Sequence, residues 1–212
     1  MMSIFATLLL SVPFLANETS HCNGIWSARG TIPFSIEAPE SKHTNKEKSL
    51  KSDEYSVVGS THGLTLADSQ GRRFKLDLSF LPPLLEVSRS KDSKHIFVNG
   101  SDGGVVGTWL TYVYYVDGGQ VVEQKNLLKE VRPRAQGIQQ CDSTEPMNIG
   151  TVSWADIPGE ILIVAEVPNH SSCANMGVMR GYRIEIKTGK IKEELSESSF
   201  RKKWKLDLGC RF

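Results

Sequence analysis

A chain of 212 residues, 39% hydrophobic and 23% charged, is long enough to bury a proper core and too apolar to stay disordered. Its 25 Lys and Arg set against 24 Asp and Glu leave a net charge of +1. No overall field therefore draws it to nucleic acid or to an acidic membrane surface, and composition names no other partner.

The first element in chain order is a leader. "MMSIFATLLLSVPFLA" carries an apolar stretch from Ile4 to Leu15, the length of a secretory h-region and too short to span a bilayer as a helix. Residues 1–16 read as a signal peptide and 17–212 as a single β-rich domain outside the cytoplasm, periplasmic or secreted. No Lys or Arg precedes the apolar run, and Phe14 falls at minus three from a cut after Ala16. An uncleaved membrane anchor and a buried N-terminal strand are the alternatives. No later segment has the roughly 18 consecutive apolar residues of a spanning helix, so no membrane insertion is expected after processing.

Cysteines stand at 22, 141, 173 and 210. An even number in an exported chain suggests disulfides, and four cysteines allow three connectivities. Cys141 with Cys173 and Cys22 with Cys210 is the preferred pairing, because the first joins two sides of one unit and the second joins the termini. On a chain-entropy argument the first bond contributes on the order of 3 to 4 kcal/mol. The alternative is four buried thiols in a cytosolic protein.

After the polar "NETSHCNG", residues 36–54 are charged, without an apolar period, and read as a surface loop. Strand signals then become regular: "YSVVGS", "GLTLAD", "RFKLDL", "KHIFVNG", "WLTYVYYV", "QVVEQ", "TVSWA", "EILIVAEV" and the hairpin "RGYRIEIKTGKIKEEL". Many are rich in β-branched and aromatic residues and bounded by Gly, Asp or Ser, as half-buried antiparallel strands are. Two segments break the rhythm. "NLLKEV", 126–131, predicts a short helix stopped near Pro133. "SESSFRKKWKLDLGC", 196–210, puts Phe200, Trp204 and Leu208 on one helical stripe, with a serine cap before it and Gly209 at its end. Arg201, Lys202, Lys203 and Lys205 form the solvated face of that helix.

The strands repeat in order. An apolar strand follows a charged turn, a Gly- or Ser-containing loop comes next, and an alternating strand then ends in a tight polar turn and returns. Three stretches follow this scheme, beginning at "YSVVGS", "HIFVNG" and "ILIVAEV", with Gly71, Gly119 and Gly189 coinciding at the second turn. In the middle one, "SKDSKHIFVNGSDGG" is followed by "TYVYYVDGG". Ser90, Asp92, Lys94, Ile96 to Val98, Ser101 to Gly103, Tyr114 and Val116 to Gly119 resemble the TolB-like β-propeller repeat. Lys91 and Ser93 stand where that repeat has Pro and Gly. The resemblance covers about residues 50–195 and is strongest in the middle. It implies small twisted sheets, each unable to bury both faces alone, that stack on one another. Three units are fewer than the roughly four blades of the smallest common propeller. The expected fold is therefore mainly β: stacked antiparallel sheets with propeller-like repeats, as an incomplete propeller or sandwich, plus a short C-terminal helix. A degenerate fourth unit built from residues 23–36 and the C-terminus is the alternative.

Candidate chemistry is sparse. His170 beside Cys173 in "PNHSSC" suggests an activated thiol, but no third orienting group follows, and a disulfide is the commoner use of an exported cysteine. The other histidines, 21, 43, 62 and 95, are scattered singly, so no zinc set forms. "NGSDGG", 99–104, clusters the oxygen donors Asn99, Ser101 and Asp102, which read as a turn rather than a calcium loop. "SDGGVVG" lacks the Lys-Ser/Thr ending of a phosphate loop. Asn17, Asn99 and Asn169 begin N-x-Ser/Thr patterns. Met147, Met176 and Met179 suit a soft metal but more commonly fill core gaps. In the strand holding Trp109, Tyr112, Tyr114 and Tyr115, one face must be core and the other is available as a ligand surface.

The ligand-binding candidates are thus Asp102, Trp109, Tyr112 and His170, with no catalytic set, metal or cofactor. The expected function is that of an exported, non-catalytic binding or interaction module whose partner is another protein or an envelope component. Its recognition surface is expected on the insertions at 129–148 and 168–179. The alternatives are a periplasmic hydrolase using Asp102, Asp117 or His170, and an inhibitor or immunity-type protein.

Overall fold

The structure, a computed structural model, describes residues 34–36, 56–60, 63–67, 71–76, 78, 84–101, 109–117, 120–142, 145–206 and 208. The leader, Asn17, Cys22, Asp102, Gly119, Gly209 and Cys210 lie outside the described residues.

Among the described residues twelve strands form three four-stranded sheets, each taking its strands in chain order. The first holds β1 (Phe34–Ile36), β2 (Ser56–Ser60), β3 (Gly63–Ala67) and β4 (Arg73–Lys75). The second holds β5 (Leu84–Arg89), β6 (His95–Ser101), β7 (Trp109–Asp117) and β8 (Gln120–Glu123). The third holds β9 (Asn148–Trp154), β10 (Glu160–Glu166), β11 (Met179–Glu185) and β12 (Lys190–Ser196). All neighbours are antiparallel except β1 and β2, which pair in parallel. Phe34–Ile36 therefore extends the first sheet, and residues 23–33 of the alternative fourth unit lie outside the described residues. Gly71 and Gly189, aligned by the repeat, both sit between the third and fourth strands of their sheets with φ of 77° and 70°.

Alternation along β6 and β7 explains the stacking, since successive side chains leave opposite faces of a sheet. Ile96, Val98, Tyr114 and Val116 pack with Leu64, Leu66 and Leu76 of the first sheet's segment. Phe97 and Val113 point the other way, into a core shared with Ile161, Ile163, Ala165, Tyr182 and Ile184 of the third sheet. The middle sheet is thus covered on both faces. Leu162, Val164 and Met179 leave the third sheet's far side and meet Phe200 of α2 (Glu197–Trp204) together with Leu208. At the other end of the stack the first sheet turns Arg73 and Lys75 outward, exposed. The fold is mainly β, three stacked sheets and a short C-terminal helix, and among the described residues the stack has two ends rather than closing into a ring.

Two bulges adjust the third sheet. Between β9 and β10 the register shifts so that Thr151 faces Ile163 while Trp154 faces Ile161. Between β11 and β12 a second shift lets Ile191 join the core toward the second sheet while Leu195 joins the opposite one. An extra residue reverses the parity of everything beyond it, which simple alternation cannot anticipate.

Both helices depart from their predicted bounds. The segment 125–130 is a run of turns, and α1 covers Val131–Gln136 with Pro133 inside it. Proline is tolerated there because N–H groups of a helix's first turn have no intrahelical partner to lose. At the C-terminus α2 stops at Trp204, with Lys205 in the left-handed region at φ 51° as its cap, so Leu208 is buried from beyond the helix and Gly209 does not end it.

Candidate functional site

Antiparallel pairing gathers three connections at one end of the third sheet. Asn148 at the start of β9 pairs with Glu166 at the end of β10, Glu166 pairs with Met179 at the start of β11, and Arg180 pairs with Ser196 just before α2. The loop entering β9 and the loop joining β10 to β11 therefore emerge side by side. Cys141 and Cys173 bond them, the pairing preferred from the sequence. Ala174 N–H donates to Gln140 O at 2.8 Å, and Gln140 N–H donates to Asn175 Oδ1 at 2.9 Å. Asn175 Nδ2 donates to Ile138 O, and Ser172 N–H donates to Glu145 Oε1 at 3.0 Å. Donation from the Ser172 hydroxyl, and then from its N–H, holds the Glu145 carboxyl below its ordinary value. A covalent bond and several cross-loop hydrogen bonds make one platform of two loops. His170, Ser172 and Met176 are exposed on it. A groove of about 630 Å³ runs along its flank, between Met176 to Arg180 on one side and Ser196 with Glu197, Ser198 and Arg201 of α2 on the other.

Buried polar groups anchor this end. Trp109 N–H donates to Asn148 Oδ1 at 2.9 Å, and Asn148 Nδ2 donates to Glu166 Oε2 at 2.9 Å. Asn169 Nδ2 donates to Glu166 Oε1 at 3.1 Å. Burial pushes the Glu166 carboxyl up, the two amides oppose that shift, and Glu197 across the groove adds to it. A second cluster joins the sheets further in. Asn99 Nδ2 donates to Glu86 Oε2 at 2.6 Å and to Thr151 O at 2.7 Å, while Thr151 N–H donates to Asn99 Oδ1 at 3.0 Å. The Asn99 amide thus pairs with the β9 backbone much as a neighbouring strand would.

The sequence-predicted candidates do not converge on one cleft. Trp109 is buried at 3% exposure and Tyr112 leaves the opposite face of β7. His170 is exposed on the platform, one residue beyond Asn169. Trp109 and His170 share this end of the molecule through the Asn148–Glu166–Asn169 chain. Asp102 lies outside the described residues. Asn99 and Ser101 are not turn donors: both are buried in β6, and the Asn99 amide is engaged.

The Cys173 sulfur is in a disulfide, so no thiolate stands beside His170. Met147 and Met179 belong to cores on opposite faces of the third sheet and share no metal site. Asp117 accepts a bond from the Tyr115 hydroxyl at 2.8 Å and closes β7 at the end opposite Trp109. Among the described residues no group of three or more His, Cys, Asp or Glu is arranged to hold a metal, and no helix is long and apolar enough to cross a membrane.

The residues that stitch the platform, Gln140, Glu145 and Asn175, carry no sequence signal, since such types in a loop read as ordinary solvated residues. The chain matches no protein-family model, and comparison with curated proteins and with solved structures finds no similar one.

Proposed function

We propose that the chain is a non-catalytic binding module, exported from the cytoplasm, whose disulfide-clamped loop pair recognises another protein or an envelope component. The observation that carries this reading is the platform: two long loops fixed by Cys141–Cys173 and by cross-loop hydrogen bonds. Holding both loops in place before contact lowers the ordering cost of association, which is what pre-organisation contributes to affinity. A disulfide suits an oxidising compartment. Kinship with TolB-like repeats is part of the proposal. Supporting it are three successive four-stranded sheets, the second and third of them antiparallel meanders, and Ser93, which takes φ 60° where the repeat has glycine.

The test is capture from native envelope extracts by the purified chain, alongside Met176→Asp on the platform and Lys187→Asp at the β11–β12 turn. One defined partner retained by the parent and by Lys187→Asp, and lost with Met176→Asp at unchanged melting temperature, is the expected result. Retention of that partner by Met176→Asp, or turnover in a hydrolase screen that His170→Ala abolishes, overturns the proposal.

A further inference from the structure

A second cleft lies on the edge of the middle sheet, away from the loop platform. β8 leaves β7 early: Glu123 pairs with Tyr114, and Gln124 N–H makes a further bond to Val113 O at 2.7 Å before the chain turns away across 125–130. β7 itself runs on to Trp109. Thr111, Tyr112 and Val113 therefore border a cavity of about 310 Å³ on the side from which β8 has departed. The far wall is the turn segment with the start of α1, and together they bring Lys125, Lys129 and Arg132 to the same cavity.

Among the described residues none of these three cations meets a carboxylate, whereas Arg134 on the same segment pairs with Glu194 at 3.1 Å. Glu130 is engaged elsewhere, its Oε2 accepting the Ile191 N–H at 2.9 Å. Among the described residues Glu123 is the single carboxylate lining the cleft. Three cations against one carboxylate is a local field that the chain's overall charge of +1 conceals.

We propose that this cleft binds an extended acidic peptide segment of a partner protein, laid beside β7 where β8 stops, with its carboxylates met by Lys125, Lys129 and Arg132. The shape argues for an extended chain, because a strand flanks the cleft on one side and strand addition to a sheet is a recurrent mode of peptide recognition. Arg132 offers the planar fork that receives a carboxylate bidentately, and the lysines add charge without fixed geometry. Three cations and a carboxylate inside one small cleft do not make the long basic track that a nucleic-acid backbone requires. The site is independent of the loop platform, so either proposal can fail alone.

The probe is a fluorescein-labelled peptide alternating Asp and Val, titrated into the full chain and followed by anisotropy, with its Asn-for-Asp counterpart as reference. Saturable binding of the acidic peptide that weakens with added salt is expected. Lys125→Gln, Lys129→Gln and Arg132→Gln together should weaken it by about tenfold or more, given what exposed charge pairs contribute singly. Lys202→Gln with Lys205→Gln, exposed at the end of α2 on the far side of the third sheet, should leave binding intact, as should Met176→Asp. A melting curve checks folding of the triple variant, and Lys129→Gln alone serves if the triple is unstable. The proposal is overturned if the acidic peptide does not bind, if the Asn peptide binds equally, or if the remote double variant loses as much affinity. Displacement of the labelled peptide by inorganic phosphate or a single-stranded oligonucleotide, as efficient as by unlabelled acidic peptide, overturns it as well.

Discussion

The two faces of the third sheet are built from the same strands and are covered in different ways. Toward the second sheet, Ile161, Ile163, Ala165, Tyr182 and Ile184 make an apolar core, and a polar seam crosses it: Asn99 on Thr151, and the Thr111 and Thr151 hydroxyls 2.7 Å apart. Toward α2 the centre is apolar, with Leu162, Val164 and Phe200, and charges gather at one rim, where Arg183 contacts Glu160 and Glu193 and Lys203 reaches Glu193. A sheet that must accept a neighbour in one register uses directional bonds to set it. A sheet that must stop accepting neighbours needs only a cover, and stacked repeats commonly end in a capping element that presents a polar outer side.

The largest effect should come from removing that cover. Phe200 is buried at 1% exposure and its ring lies 5.3 Å from that of Trp204. Both seat over Gly181, where an added Cβ would fall 2.6 Å from the Trp204 ring and 2.8 Å from that of Phe200. Phe200→Ala should cost about 3 to 5 kcal/mol in denaturant unfolding, and Gly181→Val about 1 to 3 kcal/mol by lifting the helix from outside. A loss under about 1 kcal/mol for Phe200→Ala would mean that α2 does not cap the stack. The polar seam comes next. Asn99→Ala removes the amide that bonds Glu86 Oε2 and both backbone groups of Thr151, a loss of about 2 to 3 kcal/mol. If Asn99→Ala proves neutral, the seam is decoration and apolar contact alone sets the register.

What could be read in advance follows the same division. The runs at Ile96 to Val98 and Tyr114 to Val116 were legible as half-buried strands, and the stacking that covers their second face was legible only through the repeat they resemble. Two strands were missed, β1 and β5, and β5 shows why. Glu86 and Ser88 look like a water-facing row, yet both are buried, Glu86 beneath Asn99 and Ser88 beneath the Trp154 indole N–H. A polar residue satisfied by a partner 13 or 66 positions away cannot be told from a solvated one in a single sequence. The bulges and the seat at Gly181 are hidden for the same reason, since each is set by a contact across the fold. Of the candidate site, the Cys141–Cys173 bond was legible and the hydrogen bonds that stiffen the loops around it were not.

Acid titration separates the two faces further. Glu166 is buried, and burial holds its carboxyl above the ordinary 4.5, with Glu197 of α2 contributing. The folded chain therefore keeps this proton to a higher pH than the unfolded chain does. The group's contribution to stability is fully present below 4.5 and is lost as pH rises through the elevated folded value. Unfolding free energies for the parent and Glu166→Gln across that range should diverge as pH rises. Parallel curves would show that the carboxyl is solvated and that the Asn148–Glu166–Asn169 chain does not anchor the platform.

The smallest predicted change is a gain, and it belongs to the face toward the second sheet. The Tyr182 hydroxyl is buried with no hydrogen-bond partner among the described residues, and burial, with Glu194 adding, pushes its phenol up to about 12. Leaving a polar group unsatisfied in an apolar core costs about 1 to 3 kcal/mol, part of which the ring's own packing offsets. Tyr182→Phe keeps the ring and removes the hydroxyl, so stability at neutral pH should rise by up to about 1 kcal/mol. The parent's stability should also fall as pH climbs from the ordinary 10 through about 12, a loss that Tyr182→Phe lacks. A decrease in stability for Tyr182→Phe at neutral pH would instead mean that the hydroxyl is satisfied in solution, by water or by a shifted Glu194, and that this face carries a second polar seam beside Asn99.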